Sequence, residues 1–184
     1  MSRGVRGEAL FRDDGDYRLF LQLMMKYQQE YGFIIHSYCL MTNHFHIQLE
    51  TAHVSLSRIM EKLLKSYANN FNAKYNFVGH VFQGTYKALL IEDQVYFLET
   101  GRYIHLNPVK AGMVRNPEDY AYSSYNCYVK AETGSLVNCD KTLGFFSGSD
   151  PQEYAKFVAS KINHQEYEEN IMAGLKEDDK WLPW

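Results

Sequence analysis

The sequence predicts an α+β fold, specifically a ferredoxin-like split βαβ sandwich with an antiparallel sheet. Three observations predict it. The hydrophobic pattern follows the order strand, helix, strand, strand, helix, strand, helix. A two-residue turn separates the second and third strands, which is typical of an antiparallel hairpin. The chain has 184 residues, of which 46% are hydrophobic, enough to form one core.

The first half of the chain predicts a strand, a helix and a hairpin. Residues 3–11 favour a short strand followed by a loop. Residues 13–32 begin with acidic caps, repeat apolar side chains at helical spacing and end at a glycine. Residues 33–41 are apolar and β-branched, and residues 44–50 alternate strictly between apolar and polar. These last two segments therefore predict the two strands of the hairpin.

The second half predicts two helices around a fourth strand. Residues 55–76 carry the clearest apolar stripe of the chain, residues 80–91 return to a strand-like pattern, and residues 93–107 are helical again. Pro108 is expected to end this helix. A last helix is expected to open at residues 150–151, where aspartate precedes proline.

Charge divides the chain into two parts. Residues 1–130 carry 14 basic and 12 acidic side chains, whereas residues 131–184 carry 5 and 10. We therefore predict a main domain at 1–130 and an acidic, partly helical C-terminal extension at 131–184. The three cysteines form no C-x-x-C pair, which argues against a disulfide framework or a zinc knuckle. No membrane-length apolar run or secretory signal is present, so we expect a cytoplasmic protein.

A pair of histidines is the sharpest local feature. His44 and His46 lie two residues apart on the second strand of the hairpin, so they project from one face about 7 Å apart at the backbone. Two imidazoles in this arrangement can converge on a divalent cation. Two ordinary histidines of a sheet would give the same pattern, and the pair alone leaves both interpretations open.

The helix at 93–107 adds two polar side chains. Tyr103 and Asn107 are four residues apart, so they share one face of that helix. An amide oxygen can complete a cation site that two histidines begin, and the tyrosine would then lie beside the cation. The alternative is a tyrosine that packs in the core and an asparagine that ends the helix.

Four segments together resemble a known family. Residues 101–112 (Gly-Arg-Tyr-Ile-His-Leu-Asn-Pro-Val-Lys-Ala-Gly) resemble the tyrosine helix of single-tyrosine HUH transposases of the insertion-sequence type, most strongly the REP-associated tyrosine transposases. Residues 38–46 resemble that family's hairpin, with its H-hydrophobic-H motif on a central strand. Residues 79–87 resemble its fourth strand, and residues 122–125 a motif that follows. The segments occur in the family's order.

The resemblance implies a metal-dependent enzyme that cleaves and rejoins single-stranded DNA at hairpin-containing repeats. It implies that His44, His46 and Asn107 hold Mg²⁺ or Mn²⁺. It also implies that Tyr103 attacks phosphorus to form a 5′-phosphotyrosine. The expected location is the bacterial cytoplasm, with the protein at the nucleoid when it is bound to DNA. The candidates for DNA contact are Arg3, Arg6, Asn43, Lys87, Arg102 and Lys110.

Two other functions stay open at this point. One is a domesticated protein that binds hairpin DNA without transposition, and the other is a ferredoxin-like metal- or RNA-binding module in which the motifs are coincidental. The relatives also leave open whether the tyrosine works within a monomer or across a homodimer. We further expect the acidic segment 131–184 to cover a cationic DNA-binding face when DNA is absent.

Overall fold

The structure is a computed structural model that describes residues 1–130 and 136–160. The described strands and α-helices, in chain order, are β1 (Ser2–Arg3), α1 (Asp14–Tyr31), β2 (Ile34–Met41), β3 (His44–Glu50), α2 (Leu56–Tyr75), α3 (Gln94–Lys110), α4 (Tyr125–Val129), α5 (Asp140–Leu143) and α6 (Pro151–Ala159). The three strands form an antiparallel sheet in the order β1-β3-β2. The predicted α+β class is confirmed, and β3, which carries the histidine pair, is the central strand.

The predicted fourth strand is replaced by an irregular edge. Residues 80–91 form no named strand, although part of this segment runs alongside β1. The Val5 amide donates to the Val81 carbonyl at 3.0 Å, and the Gln83 amide donates to the Arg3 carbonyl at 2.8 Å. Gly84 then adopts a left-handed conformation, with φ of 64°. That conformation breaks the regular strand geometry, and β1 is too short to enforce a long ladder.

Helices α1 and α2 cover one face of the sheet. A capping box begins α1, because the Asp13 side chain accepts from the Asp16 amide and the Asp16 side chain accepts from the Asp13 amide. Apolar side chains of α1, β3 and α2 meet beneath these helices, and the rings of Phe20 and Phe45 lie 4.7 Å apart. Both rings are fully buried. The alternating pattern of β3 thus directs its apolar residues here and its histidines to the opposite face.

Helix α3 lies against that opposite face, where it contacts β2 and β3. The Gln48 side chain of β3 donates to the Phe97 carbonyl of α3 at 2.9 Å. The helix continues to Lys110, so the prediction that Pro108 ends it at residue 107 is wrong. Proline removes one amide donor, but the backbone resumes normal bonding directly afterwards, since the Ala111 amide donates to the Asn107 carbonyl at 2.9 Å.

The described part of the predicted extension packs against α3 and α4. Its last helix, α6, begins as expected at Pro151, with Asp150 as the N-cap that accepts from the Gln152 amide. Tyr154 and Val158 of α6 are buried in the main core. The proposed boundary at residue 130 stays a prediction. The acidic segment 161–184, and with it the expected covering of a DNA-binding face, lies outside the described residues.

Within residues 1–130 and 136–160, no helix has the length and apolar character to cross a bilayer.

Candidate active site

The histidine pair lies where the central strand faces α3. The ring centroids of His44 and His46 are 5.2 Å apart and the rings are perpendicular. His46 is 5% exposed, whereas His44 is partly exposed. The pairing of His46 with Cys39 and of His44 with Met41 across the hairpin fixes this register. Two imidazoles on one strand face therefore converge as the spacing predicts.

Both rings are neutral at pH 7. Burial, together with the nearby Arg3 guanidinium, lowers the pKa of His44 to about 4. Burial also holds the pKa of His46 well below its usual range. A neutral imidazole keeps one nitrogen lone pair, which is what binding to a metal requires. The protonation state of this pair thus fits a divalent cation.

Helix α3 brings Tyr103 to this pair. The ring centroids of Tyr103 and His46 lie 5.4 Å apart with the rings perpendicular, within one chain. Tyr103 is 7% exposed. Burial raises the pKa of its phenol, and a hydrogen bond with Asn107 opposes that rise in part. At neutral pH the phenol is therefore protonated and would need help to become a nucleophile.

Asn107 lies one turn beyond Tyr103, as the spacing predicts. Its Nδ2 donates to the Tyr103 carbonyl at 3.0 Å, so the amide oxygen keeps its lone pairs. Within residues 1–130 and 136–160 no group of three histidine, cysteine, aspartate or glutamate side chains is placed to hold a metal ion. An amide oxygen such as that of Asn107 is a donor that a cation accepts.

Lys110 also approaches the tyrosine. Its Nζ lies 5.3 Å from the centroid of the Tyr103 ring. Burial, together with the nearby Arg102 guanidinium, lowers the pKa of Lys110 to about 8. Most of these amines are still protonated at pH 7, and a positive charge beside a phenol favours the phenolate. The sequence suggested only a DNA contact for Lys110; its i+7 spacing from Tyr103 is the signal that both side chains share one face of the helix.

A cleft of about 500 Å³ adjoins the tyrosine. Its lining includes His46, Tyr103 and a polar group formed by His36, Glu50 and Lys141. In that group Lys141 pairs with the Glu50 carboxylate at 2.6 Å, and the His36 ring lies 3.3 Å from the same carboxylate. A cleft of this size has room for a small organic ligand, including a nucleotide.

The five other candidates for DNA contact differ in their exposure and partners. Arg3 and Arg6 are exposed, and Lys87 is partly buried near the cleft, whose lining it joins. Asn43 instead makes hydrogen bonds within the chain. Arg102 is wrongly assigned, because its side chain is 2% exposed. Helix α6 covers that side of α3, where Phe157 packs against the Arg102 guanidinium.

Arg102 has internal partners that account for its burial. Its guanidinium pairs with Glu99 at 3.0 Å and lies over the Phe157 ring at 3.7 Å from the centroid. The buried His105 lies on the same helix, with its Nε2 2.8 Å from the Ser124 hydroxyl. These residues flank Tyr103 in sequence, and their buried contacts attach α3 to α6 and to Ser124.

Comparisons with known proteins identify the family and the fold. Residues 6–107, more than half of the chain, match the model of the family described as transposase IS200-like. A solved structure of a REP-associated tyrosine transposase bound to a REP hairpin has a TM-score of 0.57 at 16% identity, over 68% of this chain and 78% of that one. No curated protein matches. The structural match shows a shared fold, the family match confirms the predicted kind of protein, and the chain therefore belongs to the IS200-like transposase family.

Proposed function

We propose that the chain is a metal-dependent strand transferase that cleaves and rejoins single-stranded DNA at hairpin-containing repeats. The observation that carries the proposal is the contact between the Tyr103 and His46 rings, 5.4 Å apart within one chain. A tyrosine nucleophile needs a phosphate held beside it, and the histidine pair is the group that could hold one through a cation. Membership of a transposase family supports the same chemistry.

His44, His46 and Asn107 would hold Mg²⁺ or Mn²⁺. Two neutral imidazoles and an amide oxygen are donors that such cations accept, although all-oxygen sites are more usual for Mg²⁺. When bound, the cation would offset the negative charge that develops on the scissile phosphate. Side chains of this protein would carry out the nucleophilic attack and stabilise the phenolate.

Tyr103 would supply the nucleophile. Its phenolic oxygen forms a bond to phosphorus while the bond between phosphorus and the 3′ oxygen breaks, and the phenol proton passes to solvent. The leaving 3′ oxygen takes a proton and becomes a hydroxyl. The product is a 5′-phosphotyrosine, which preserves the energy of the phosphodiester, so a 3′-hydroxyl can reverse the step and join DNA. The Lys110 ammonium beside the ring would stabilise the phenolate.

DNA binding would use the exposed basic residues near the histidine pair. Arg3 lies directly opposite His44 in the sheet, and Arg6 follows in the next turn of the chain. Both would contact phosphates of the DNA, and the cleft beside Tyr103 could receive an unpaired base. A REP hairpin is bound by the structural relative, and we propose hairpin DNA as the partner here. Such a protein would work in the bacterial cytoplasm, at the nucleoid.

A cleavage assay tests the proposal. Labelled single-stranded hairpin DNA from the protein's own genomic neighbourhood is incubated with Mg²⁺ or Mn²⁺ and then run on a denaturing gel. We expect a covalent adduct with the wild-type protein and none with Tyr103→Phe. Tyr31→Phe is the matched control, because Tyr31 lies on α1, stacked on Tyr27 and outside the lining of the cleft, and should leave the adduct unchanged.

Two outcomes would contradict the proposal. An adduct that survives in Tyr103→Phe would assign the nucleophile to another residue. Hairpin binding without an adduct in any variant, across a panel of flanking sequences, would indicate a domesticated hairpin-binding protein instead.

A further inference from the structure

The turn residue before the histidine pair makes two side-chain hydrogen bonds. The Asn43 Nδ2 donates to the Gly7 carbonyl at 3.1 Å, and the Asn43 Oδ1 lies 2.7 Å from the His44 Nδ1. The main chain fixes the same turn, since the Gly4 amide donates to the Asn43 carbonyl at 2.8 Å. Asn43 is thus held from the loop that follows β1 and contacts the histidine directly.

These contacts determine the position of a proton. A backbone carbonyl only accepts hydrogen bonds, so the atom of Asn43 that faces Gly7 must be the amide nitrogen. The amide oxygen then faces His44, and this oxygen also only accepts. The proton in that bond must therefore be on the His44 Nδ1. In a neutral imidazole the other nitrogen, Nε2, then carries the lone pair.

We propose that Asn43 is a positioning residue that holds His44 in its Nδ1–H tautomer and so presents Nε2 as the atom that binds the divalent cation. The part that concerns the cation rests on the proposed function. This role differs from the DNA contact that the sequence suggested for Asn43, because both ends of its amide are used within the chain.

The tautomer matters because the two nitrogens of a neutral histidine are not equivalent. A ring with its proton on Nε2 would have to move that proton before Nε2 could bind a metal. Hydrogen bonds that fix ligand histidines in other metal sites contribute about 10- to 100-fold in metal affinity. Asn43 would remove this cost before the cation arrives.

Nitrogen NMR of the histidine rings tests the assignment in the full-length chain without metal. We expect the wild-type spectrum to show the His44 proton on Nδ1 at neutral pH. Asn43→Ala removes the acceptor and should leave His44 distributed over both tautomers. Asn43→Asp loses the donor to the Gly7 carbonyl but keeps an oxygen acceptor, and it should retain the proton on the His44 Nδ1.

Mn²⁺ binding, followed by electron paramagnetic resonance, supplies the second readout. Asn43→Ala should weaken Mn²⁺ binding by about 10- to 100-fold, and Asn43→Asp should recover at least part of that loss. Asn72→Ala is the matched control, because Asn72 donates to the Gly79 carbonyl at 3.2 Å away from the histidine pair. This control should change neither the tautomer nor the affinity.

The outcomes separate this inference from the proposed function. A wild-type proton on the His44 Nε2, or an Asn43→Ala variant that keeps the wild-type tautomer, would overturn the inference. A variant that lowers only the thermal unfolding temperature would reduce Asn43 to a residue that stabilises the turn. If the wild-type protein bound no Mn²⁺, the metal dependence in the proposed function would fail, while the spectra would still decide the tautomer.

Discussion

Acid should destabilise the protein through His105, a residue that takes no part in the proposed chemistry. The ring is fully buried on α3, where its Nδ1 lies 2.7 Å from the Tyr154 hydroxyl. Burial lowers its pKa from 6.5 to about 3. Below pH 6.5 the unfolded chain therefore binds a proton that the folded chain does not accept. The contribution of His105 to the free energy of unfolding is fully present above pH 6.5 and is lost progressively as the pH falls towards 3.

The size of the effect follows from linkage. One proton of difference costs about 1.4 kcal/mol for each pH unit, so the window from pH 6.5 to pH 3 removes about 5 kcal/mol. Domains of this kind are stable by about 5–15 kcal/mol, so the loss is a large share of the total. The protonated ring would also weaken the attachment of α3, which carries Tyr103.

Urea unfolding measured by circular dichroism at pH 7, 6, 5 and 4 tests this reasoning. The free energy of unfolding of His105→Gln should fall less steeply with pH than that of the wild type, by about 1.4 kcal/mol per pH unit below pH 6. The slopes are compared, because the substitution itself lowers stability at every pH. His80→Gln removes an exposed histidine and should keep the wild-type slope. Equal slopes for wild type and His105→Gln would refute the assignment of His105 as a buried neutral ring.

Three further changes probe other residues of α3 and the loop after β1. Arg102→Met leaves Glu99 buried without its partner and should lower the free energy of unfolding by about 3 kcal/mol. It should not change the hairpin affinity of the folded protein in filter binding, and a selective loss of affinity would restore Arg102 as a DNA contact. Lys110→Met should slow single-turnover cleavage by about tenfold at pH 7, since Tyr103 loses the adjacent charge. The difference in cleavage rate between wild type and Lys110→Met should narrow above pH 8, where the Lys110 amine, with a pKa of about 8, loses its proton. A constant ratio of the two rates from pH 7 to pH 9 would argue that the charge of Lys110 does not assist Tyr103. Arg6→Ala should reduce the slope of log affinity against log salt by about 1, and an unchanged slope would mean that Arg6 contacts no phosphate.

The elements that local chemistry specifies were predictable from the sequence. The hairpin follows from strict alternation around a two-residue turn, and α1 follows from its capping box and terminal glycine. The same holds within the candidate site. His44 and His46 share a strand face through their i, i+2 spacing, while Tyr103 and Asn107 share a helix face through their i, i+4 spacing.

Contacts between distant parts of the chain were not predictable in this way. Nothing in the sequence around Arg102 indicates that α6, about fifty residues later, covers it and places Phe157 against its guanidinium. In the sequence, an arginine next to Tyr103 looks identical whether it faces DNA or a later helix. The prediction of a fourth strand at residues 80–91 was wrong for a related reason. A strand-like pattern forms a ladder of hydrogen bonds only when its partner, here β1, is long enough to pair with it.

The contact between Tyr103 and His46 inside one chain has a genetic consequence. In a dimer whose subunits exchange their tyrosine helices, each site combines the tyrosine of one subunit with the histidines of the other. Mixing one variant without the tyrosine and one without the histidine would then restore activity. Under the proposed function, with Tyr103 and His46 in contact inside one chain, we expect no such complementation. The activity of each copy would then depend only on its own sequence. The cleavage rate per molecule would stay the same at dilutions at which any dimer had dissociated.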